Sequence, residues 1–410
     1  MRYIADFHIH SKYSRATSKD MDMDSLAKWA LIKGISMLGT GDFTHPSWLA
    51  ELQGKLVGKG YGVYTYGKVD FILTAEVSNI YFKTGRTRKV HNIIFAPSFK
   101  AAEEINRALA EYGHLASDGR PILGLECDKM ARLLFAIDPD IMIIPAHAWT
   151  PHFSLFGSNS GFDSPEECFE EQTKKILAME TGLSSDPAMN RRWSKLDKFC
   201  LISNSDSHSP SRIGREANVF KTRIDYRELI EILKTKDAGK FLFTIEFFPE
   251  EGKYHWDGHR ACKARLSPQE SARLNNTCPS CGKKVTVGVM QRLEKLADRK
   301  EGFVLDGAVP FKSVVPLAEI IAQALGLGVD TLTVEKEYFQ VVKNFGSEFA
   351  VLLDSPEEDL KEHCPEAVAK GIINMRRGEI EITPGYDGEY GKVRVFKEGE
   401  AKKDKQLSFF

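Results

Sequence analysis

Short apolar runs alternate with amphipathic stretches from residue 1 to about 235. The apolar runs predict strands at Tyr3–Phe7, Ile35–Gly39, Phe71–Ala75, Asn92–Ala96, Ile141–Pro145 and Phe199–Ser203. Helical patterns fall between them. One begins at Asp24, read as an N-cap, and runs through LAKWALIK to Gly34, read as a C-cap. Another covers 100–112. Such alternation predicts a parallel sheet or a barrel jacketed by helices.

From about 240 to 290 the pattern changes. The segment is polar, short in aliphatic residues and rich in Cys and His. It cannot bury much of a core unaided. Beyond 291 the chain reads as mostly helical, with GVMQRLEKLADR, SVVPLAEIIAQALG, EKEYFQVVKNFGSEFAVLL and EEDLKEHCPEAVAKGIINMRRG. Residues 379–396 read as two strands around a Pro-Gly-Tyr-Asp-Gly turn. The expected division is therefore a barrel over 1–238, a metal-stabilised segment over 239–290, a helical domain with a short β segment over 291–398, and a tail over 399–410.

Composition narrows the function class. The chain is 42% hydrophobic and 28% charged, ordinary for a globular protein. No apolar run reaches the roughly 18 residues of a membrane span, and MRYIADFHIH is no secretory signal, so the expectation is a cytoplasmic protein with no membrane partner. A net charge of −1 does not suit a dedicated nucleic-acid coat. Any DNA contact must come from a local patch or from bound metals. Seven cysteines without a secretion signal argue against a disulfide framework.

The candidate chemistry sits at strand ends. Asp6-Phe7-His8-Ile9-His10 closes the first strand, and residues two apart in an extended segment point the same way. Asp42 follows Ile-Ser-Met-Leu-Gly-Thr-Gly, Glu76 follows Phe-Ile-Leu-Thr-Ala, and His147 follows Ile-Met-Ile-Ile-Pro-Ala. Asp206 and His208, again two apart, follow Leu-Ile-Ser-Asn-Ser. In barrels of alternating strands and helices, functional residues gather at the C-terminal strand ends. His91 is the exception, placed at or before the start of its strand. Imidazole with carboxylate suits zinc, manganese or iron. Eight donors exceed the needs of one ion, so the pattern predicts several metals sharing Glu76 or Asp206. Such centres activate water for phosphate displacement.

The ordered set D-x-H-x-H, G-D-x-x-H, A-E-V-S, V-H-N, P-A-H and S-D-S-H resembles the polymerase-and-histidinol-phosphatase superfamily of metal-dependent phosphoesterases. The likeness covers about residues 1–220. It implies a distorted (β/α)7 barrel with two or three divalent metals (zinc, manganese or magnesium) held by His8, His10, Glu76, His91, His147, Asp206 and His208. Phe43 stands where that family often has histidine, leaving His45 or Asp42 to take the duty.

A second constellation is His259-x-x-Cys262, a spacer of fifteen residues, then Cys278-Pro-Ser-Cys281-Gly. This spacing predicts one structural zinc, with His255 the rival fourth ligand. Lys253, His255, Arg260, Lys263 and Arg265 give the segment a basic face.

Over nearly all 410 residues the chain resembles the endonuclease Q family of DNA-repair enzymes. The stretches that carry this are DFHIHSKYSRATSKDMD, GTGDFTHP, SNSDSHSPSRIGREANVF, the DGHRAC/CPSCG pair and PGYDGEYG. The resemblance implies cleavage 5′ to deaminated bases (hypoxanthine, uracil, xanthine) and abasic sites, on a flipped-out nucleotide. Substrate contacts are then expected from Tyr13, Ser14 and Arg15, from Trp149 by stacking, and from Arg212 and Arg215. Arg191, Arg192 and Lys195 are further candidates. In the tail, Gln406 with Phe409 begins a sliding-clamp motif. Two rival readings share these residues: a small-molecule phosphatase of the same superfamily, and a non-catalytic DNA-binding or clamp-associated module.

Overall fold

The computed structural model describes residues 2–397, which form a mixed α/β fold around a central sheet. Its heart is parallel: Tyr3–Asp6 pairs with Met37–Gly39, which pairs with Val69–Lys83. On the far side Tyr3–Asp6 runs antiparallel to Ala217–Phe220, which runs antiparallel to Phe241–Glu246. Cys200–Ile202 pairs in parallel with Ala178–Glu180 in a separate small sheet.

The expected all-parallel alternation fails at the longest element. Val69–Lys83 and Arg86–Ala96 form one antiparallel hairpin, and Met142–Pro145 adds to it antiparallel. Only Thr84 and Gly85 connect the two long strands, both at positive φ (52° and 79°). A two-residue turn leaves no length for a crossover helix, so the strands must reverse.

Two helices beside the sheet begin at side-chain caps. Met23–Lys33 is capped by Asp22, whose side chain accepts from Ser25 N–H, and ends on left-handed Gly34. Asp24, the expected cap, lies in the first turn, where its charge suits the helix dipole. Ser98 caps Phe99–Leu109 in the same way.

The later segments pack onto this body. Leu317–Leu325 and Glu366–Arg377 share a buried cluster with Leu38 and Trp48, and Lys33 meets Glu348 at 2.5 Å. Strands Glu381–Thr383 and Lys392–Arg394 pair antiparallel. The hairpin of Asp257–His259 with Ala264–Leu266 is anchored through Asp387, which accepts from Arg260 N–H at 2.6 Å and Thr286 Oγ1 at 2.5 Å. Among the described residues no helix is long and apolar enough to cross a membrane.

Candidate active site

Glu76 is fully buried at the centre of a histidine cluster, and its two oxygens face different partners. Oε1 lies 2.7 Å from His91 Nδ1 and 3.0 Å from His147 Nε2. Oε2 lies 3.2 Å from His10 Nε2 and 3.5 Å from His8 Nε2. Asp206 Oδ1 joins the second group, 3.0 Å from His10 Nε2 and 3.6 Å from His8 Nε2. The structure thus assembles two donor sets, His8–His10–Glu76–Asp206 and Glu76–His91–His147, each with its donor atoms within 4.8 Å of one another. One carboxylate belongs to both.

The chemistry of these sets fits divalent cations. Imidazole and carboxylate are the donors such ions take. His8 Nε2 is buried and has no hydrogen-bond partner. Burial opposes charge on His8, but the carboxylates of Glu180, Glu76 and Asp206 overcome it and push its pKa well above the ordinary imidazole range. His10 behaves alike under Asp42, Asp206 and Glu76. Burial would raise Glu76, yet His91 and His8 hold it well below the usual carboxylate range. Carboxylates thus favour positive charge on His8 and His10, whereas burial holds His91 below the ordinary imidazole range.

Three of the four imidazoles are held from behind. Glu180 places Oε1 and Oε2 3.0 and 3.1 Å from His8 Nδ1, and accepts from His147 N–H at 2.7 Å and Asn204 Nδ2 at 2.8 Å. Asp42 lies 3.0 Å from His10 Nδ1, and Thr150 Oγ1 lies 3.1 Å from His147 Nδ1. Fixing the far nitrogen sets the tautomer and aims the near one. The backbone is strained at the same points: Asp42, His147 and Asp206 have φ of 51°, 31° and 47°. Such conformations cost about 1–3 kcal/mol each and cluster at functional sites. Gly182 packs so closely on His147 that a Cβ would meet it at 2.5 Å.

Several expected residues lie elsewhere. Asp42 stands behind His10, on the side opposite Glu76, with its Oδ2 taken by Ser11 and Ser14. His208 falls outside both donor sets. It is half-exposed, and its ring packs 4.4 Å from that of His10. Phe43 is fully buried in the apolar core, and His45 stacks on Tyr13 at 4.4 Å rather than joining the cluster. Arg15 points out to Asp118.

Trp149 is 1% exposed, donates to Asn190 Oδ1 and packs on Phe156 and Trp193. It is a core residue with no face for a base. Arg212 and Arg215 line a different cavity, under the C-terminal helices, where Arg215 meets Glu319 at 3.6 Å. Arg192 is spent on Glu294, Arg191 is buried, and Lys195 lies over Trp193. The clamp-like tail around Gln406 lies outside the described residues.

Two residues of the site were missed. Glu180 ends the run Ile-Leu-Ala-Met, the same strand-end signature as Glu76, and could have been found. Arg120 reaches Glu76 Oε2 at 3.1 Å from the loop Ser-Asp-Gly-Arg-Pro, which carries no periodic signal.

At the second constellation His259, Cys262, Cys278 and Cys281 bring one donor atom each within 4.8 Å, with Cys281 Sγ 3.5 Å from His259 Nδ1. Burial raises the Cys278 thiol, but backbone N–H groups of Ser280 and Cys281 outweigh this and draw it to about 6. His255 is not part of the group.

A family model described as the MJ0043 C-terminal domain matches residues 316–379. The uncharacterized protein YqxK of Bacillus subtilis is 31% identical over 95% of this chain and 98% of its own length. The crystal structure of the lesion-specific endonuclease PfuEndoQ from Pyrococcus furiosus is 33% identical, with a TM-score of 0.87 over 97% of this chain and 96% of that one. An endonuclease Q complex with a duplex bearing an abasic lesion superposes with a TM-score of 0.86 at 33% identity, over 99% of both chains. Fold and site together define a metal-dependent nuclease. The chain belongs to the endonuclease Q family.

Proposed function

We propose that this chain is a DNA-repair endonuclease that hydrolyses the phosphodiester 5′ to a deaminated base (hypoxanthine, uracil or xanthine) or an abasic site. The observation that carries the reading is the pair of donor sets sharing Glu76. The relatives' lesion specificity supports the choice of substrate. On the same reading residues 1–238 are the distorted seven-stranded barrel, 239–290 a zinc ribbon and 291–398 a helical domain.

His8, His10, Glu76 and Asp206 would hold one divalent ion, and Glu76, His91 and His147 another. Bound there, the ions would supply an activated water and positive charge for the phosphate oxygens. The protein's own part is positioning. Glu180, Asp42 and Thr150 fix the imidazoles, and Arg120 brings a permanent charge to the edge of the cluster where a non-bridging phosphate oxygen can meet it. His259, Cys262, Cys278 and Cys281 would hold a structural zinc.

Glu180→Gln keeps the shape but weakens the grip on His8. We expect kcat/KM to fall about 10- to 100-fold, partly recovered by excess metal. An unchanged metal dependence would remove Glu180 from this role.

The reading is tested with an end-labelled duplex carrying one deoxyinosine, incubated with the protein and Mg²⁺, Mn²⁺ or Zn²⁺. A single product mapping to the phosphate 5′ of the inosine is expected. An intact duplex, with phosphate released from a metabolite panel, would favour the phosphatase instead.

A further inference from the structure

Arg120 reaches the metal cluster from a loop. Residues 118–121 lie between the single turn Leu115–Ser117 and the two-residue strand Ile122–Leu123. Holding a guanidinium in one place from such a loop takes anchors beyond regular structure. Backbone bonds supply some of them. The Gly119 N–H donates to the Tyr13 carbonyl at 3.0 Å, and Thr44 Oγ1 donates to the Gly119 carbonyl at 3.2 Å. The Pro121 carbonyl accepts at 2.9 Å from the N–H of Ser78, on the strand that carries Glu76. Gly119 runs so close to the site that a Cβ there would meet Asp42 Oδ2 at 2.3 Å and Ser14 Oγ at 2.4 Å.

Asp118 is the side-chain anchor. Its Oδ1 accepts from two backbone N–H groups, those of Arg120 and Arg15, each at 3.2 Å. Its Oδ2 lies 3.4 Å from Arg15 Nε. One carboxylate thus joins the loop that follows His10 to the loop that bears Arg120. The two guanidinium groups differ in setting. The Arg15 side chain is 78% exposed, and an ion pair so open to water is worth little. The Arg120 side chain is mostly covered and lies 3.1 Å from Glu76 Oε2. Burial opposes its charge, but Glu76, Asp206 and Asp118 outweigh that.

We propose that Asp118 is a positioning residue: by accepting from both N–H groups, it fixes the Arg120 guanidinium at the edge of the cluster, against the phosphate to be cut. This rests on the endonuclease reading above. The position calls for an acceptor rather than for a charge. Asp118→Asn keeps Oδ1 as an acceptor, whereas Asp118→Ala leaves the two N–H groups to water. A displaced Arg120 still leaves the rest of the surface to bind DNA. It misses the charge that develops on the phosphate, so the loss falls on rate rather than on affinity.

The test follows single-turnover cleavage of a duplex bearing one tetrahydrofuran abasic analogue, with the enzyme concentration varied. Arg120→Met should lower the maximal rate at least about a hundredfold. Asp118→Ala should lower it about tenfold with the half-saturating concentration unchanged, and Asp118→Asn should stay within about threefold of wild type. Asp118→Ala combined with Arg120→Met should be no slower than Arg120→Met alone, because nothing is left to position. A double variant slowed by the product of the two single effects would overturn the proposal, as would an Asn variant as slow as the Ala one. Weaker DNA binding at full rate in Asp118→Ala would also overturn it and place the carboxylate's effect at Arg15. Backbone hydrogen exchange over 114–121 reads the clamp without substrate. It should quicken at least about fivefold in Asp118→Ala and match wild type in Asp118→Asn. Equal exchange in all three proteins would overturn the proposal. A wild type that cuts no lesion duplex, with the exchange difference present, would instead sink the endonuclease reading.

Discussion

Replacing His8 and His10 together by alanine should lower kcat/KM on a lesion duplex at least about a thousandfold, equivalent to about 4 kcal/mol of transition-state stabilisation. The size follows from position. Both imidazoles aim Nε2 at Glu76 Oε2 and Asp206 Oδ1, so their loss leaves one donor set with carboxylates alone. Each is also the partner of a buried acid, Glu180 or Asp42, which would be left without its imidazole. Single-turnover cleavage with saturating Mn²⁺ is the measurement, and a melting curve guards against unfolding. Residual activity above about a tenth of wild type would place the chemistry elsewhere.

The second large effect is structural. Cys278→Ser with Cys281→Ser should open the segment from Asp257 to Thr286 to proteolysis and remove one equivalent of zinc. The only buried apolar residues clustered there are Leu266, Cys278 and Val285, far too few to order the segment against its chain entropy. Four converging donors can supply what the core does not, since structural zinc binding is worth about 10 kcal/mol or more. Protease cutting within the segment, read by mass, should rise in the variant and in wild type treated with a chelator. Equal resistance in all three samples would show that packing through Asp387 and Trp256 suffices.

The same physics explains what the chain's pattern reveals and conceals. His8 and His10 follow a strand at a spacing of two, so alternation alone places both on one side, and the structure brings both to Glu76. Glu76 and His147 each follow an apolar run, and Asp206 follows Leu-Ile-Ser-Asn-Ser, a run that turns polar before the acid. His91 was misplaced because that rule assumes a parallel strand. It lies inside Arg86–Ala96, opposite Ser78, and reaches Glu76 only because Thr84-Gly85 folds the strand back. That turn sits in the polar stretch Lys-Thr-Gly-Arg-Thr-Arg-Lys, where nothing distinguishes a tight reversal from a loop. Trp149 shows the opposite failure. Nearness in sequence to His147 suggested a contact surface, but its ring turns inward onto Phe156 and Trp193. Sequence distance carries no information on which side a side chain leaves the backbone after a strained residue. The capping error, Asp22 for Asp24, is of the ordinary one- or two-residue kind.

The proposed activity requires Glu76 to serve two metal ions at once. The most direct measurement is the metal content of purified protein after dialysis, by elemental mass spectrometry, in wild type and in Glu76→Gln. At least three ions per wild-type chain are expected, one of them zinc at His259, Cys262, Cys278 and Cys281, and about one in the variant. A variant that keeps the full wild-type complement would contradict it.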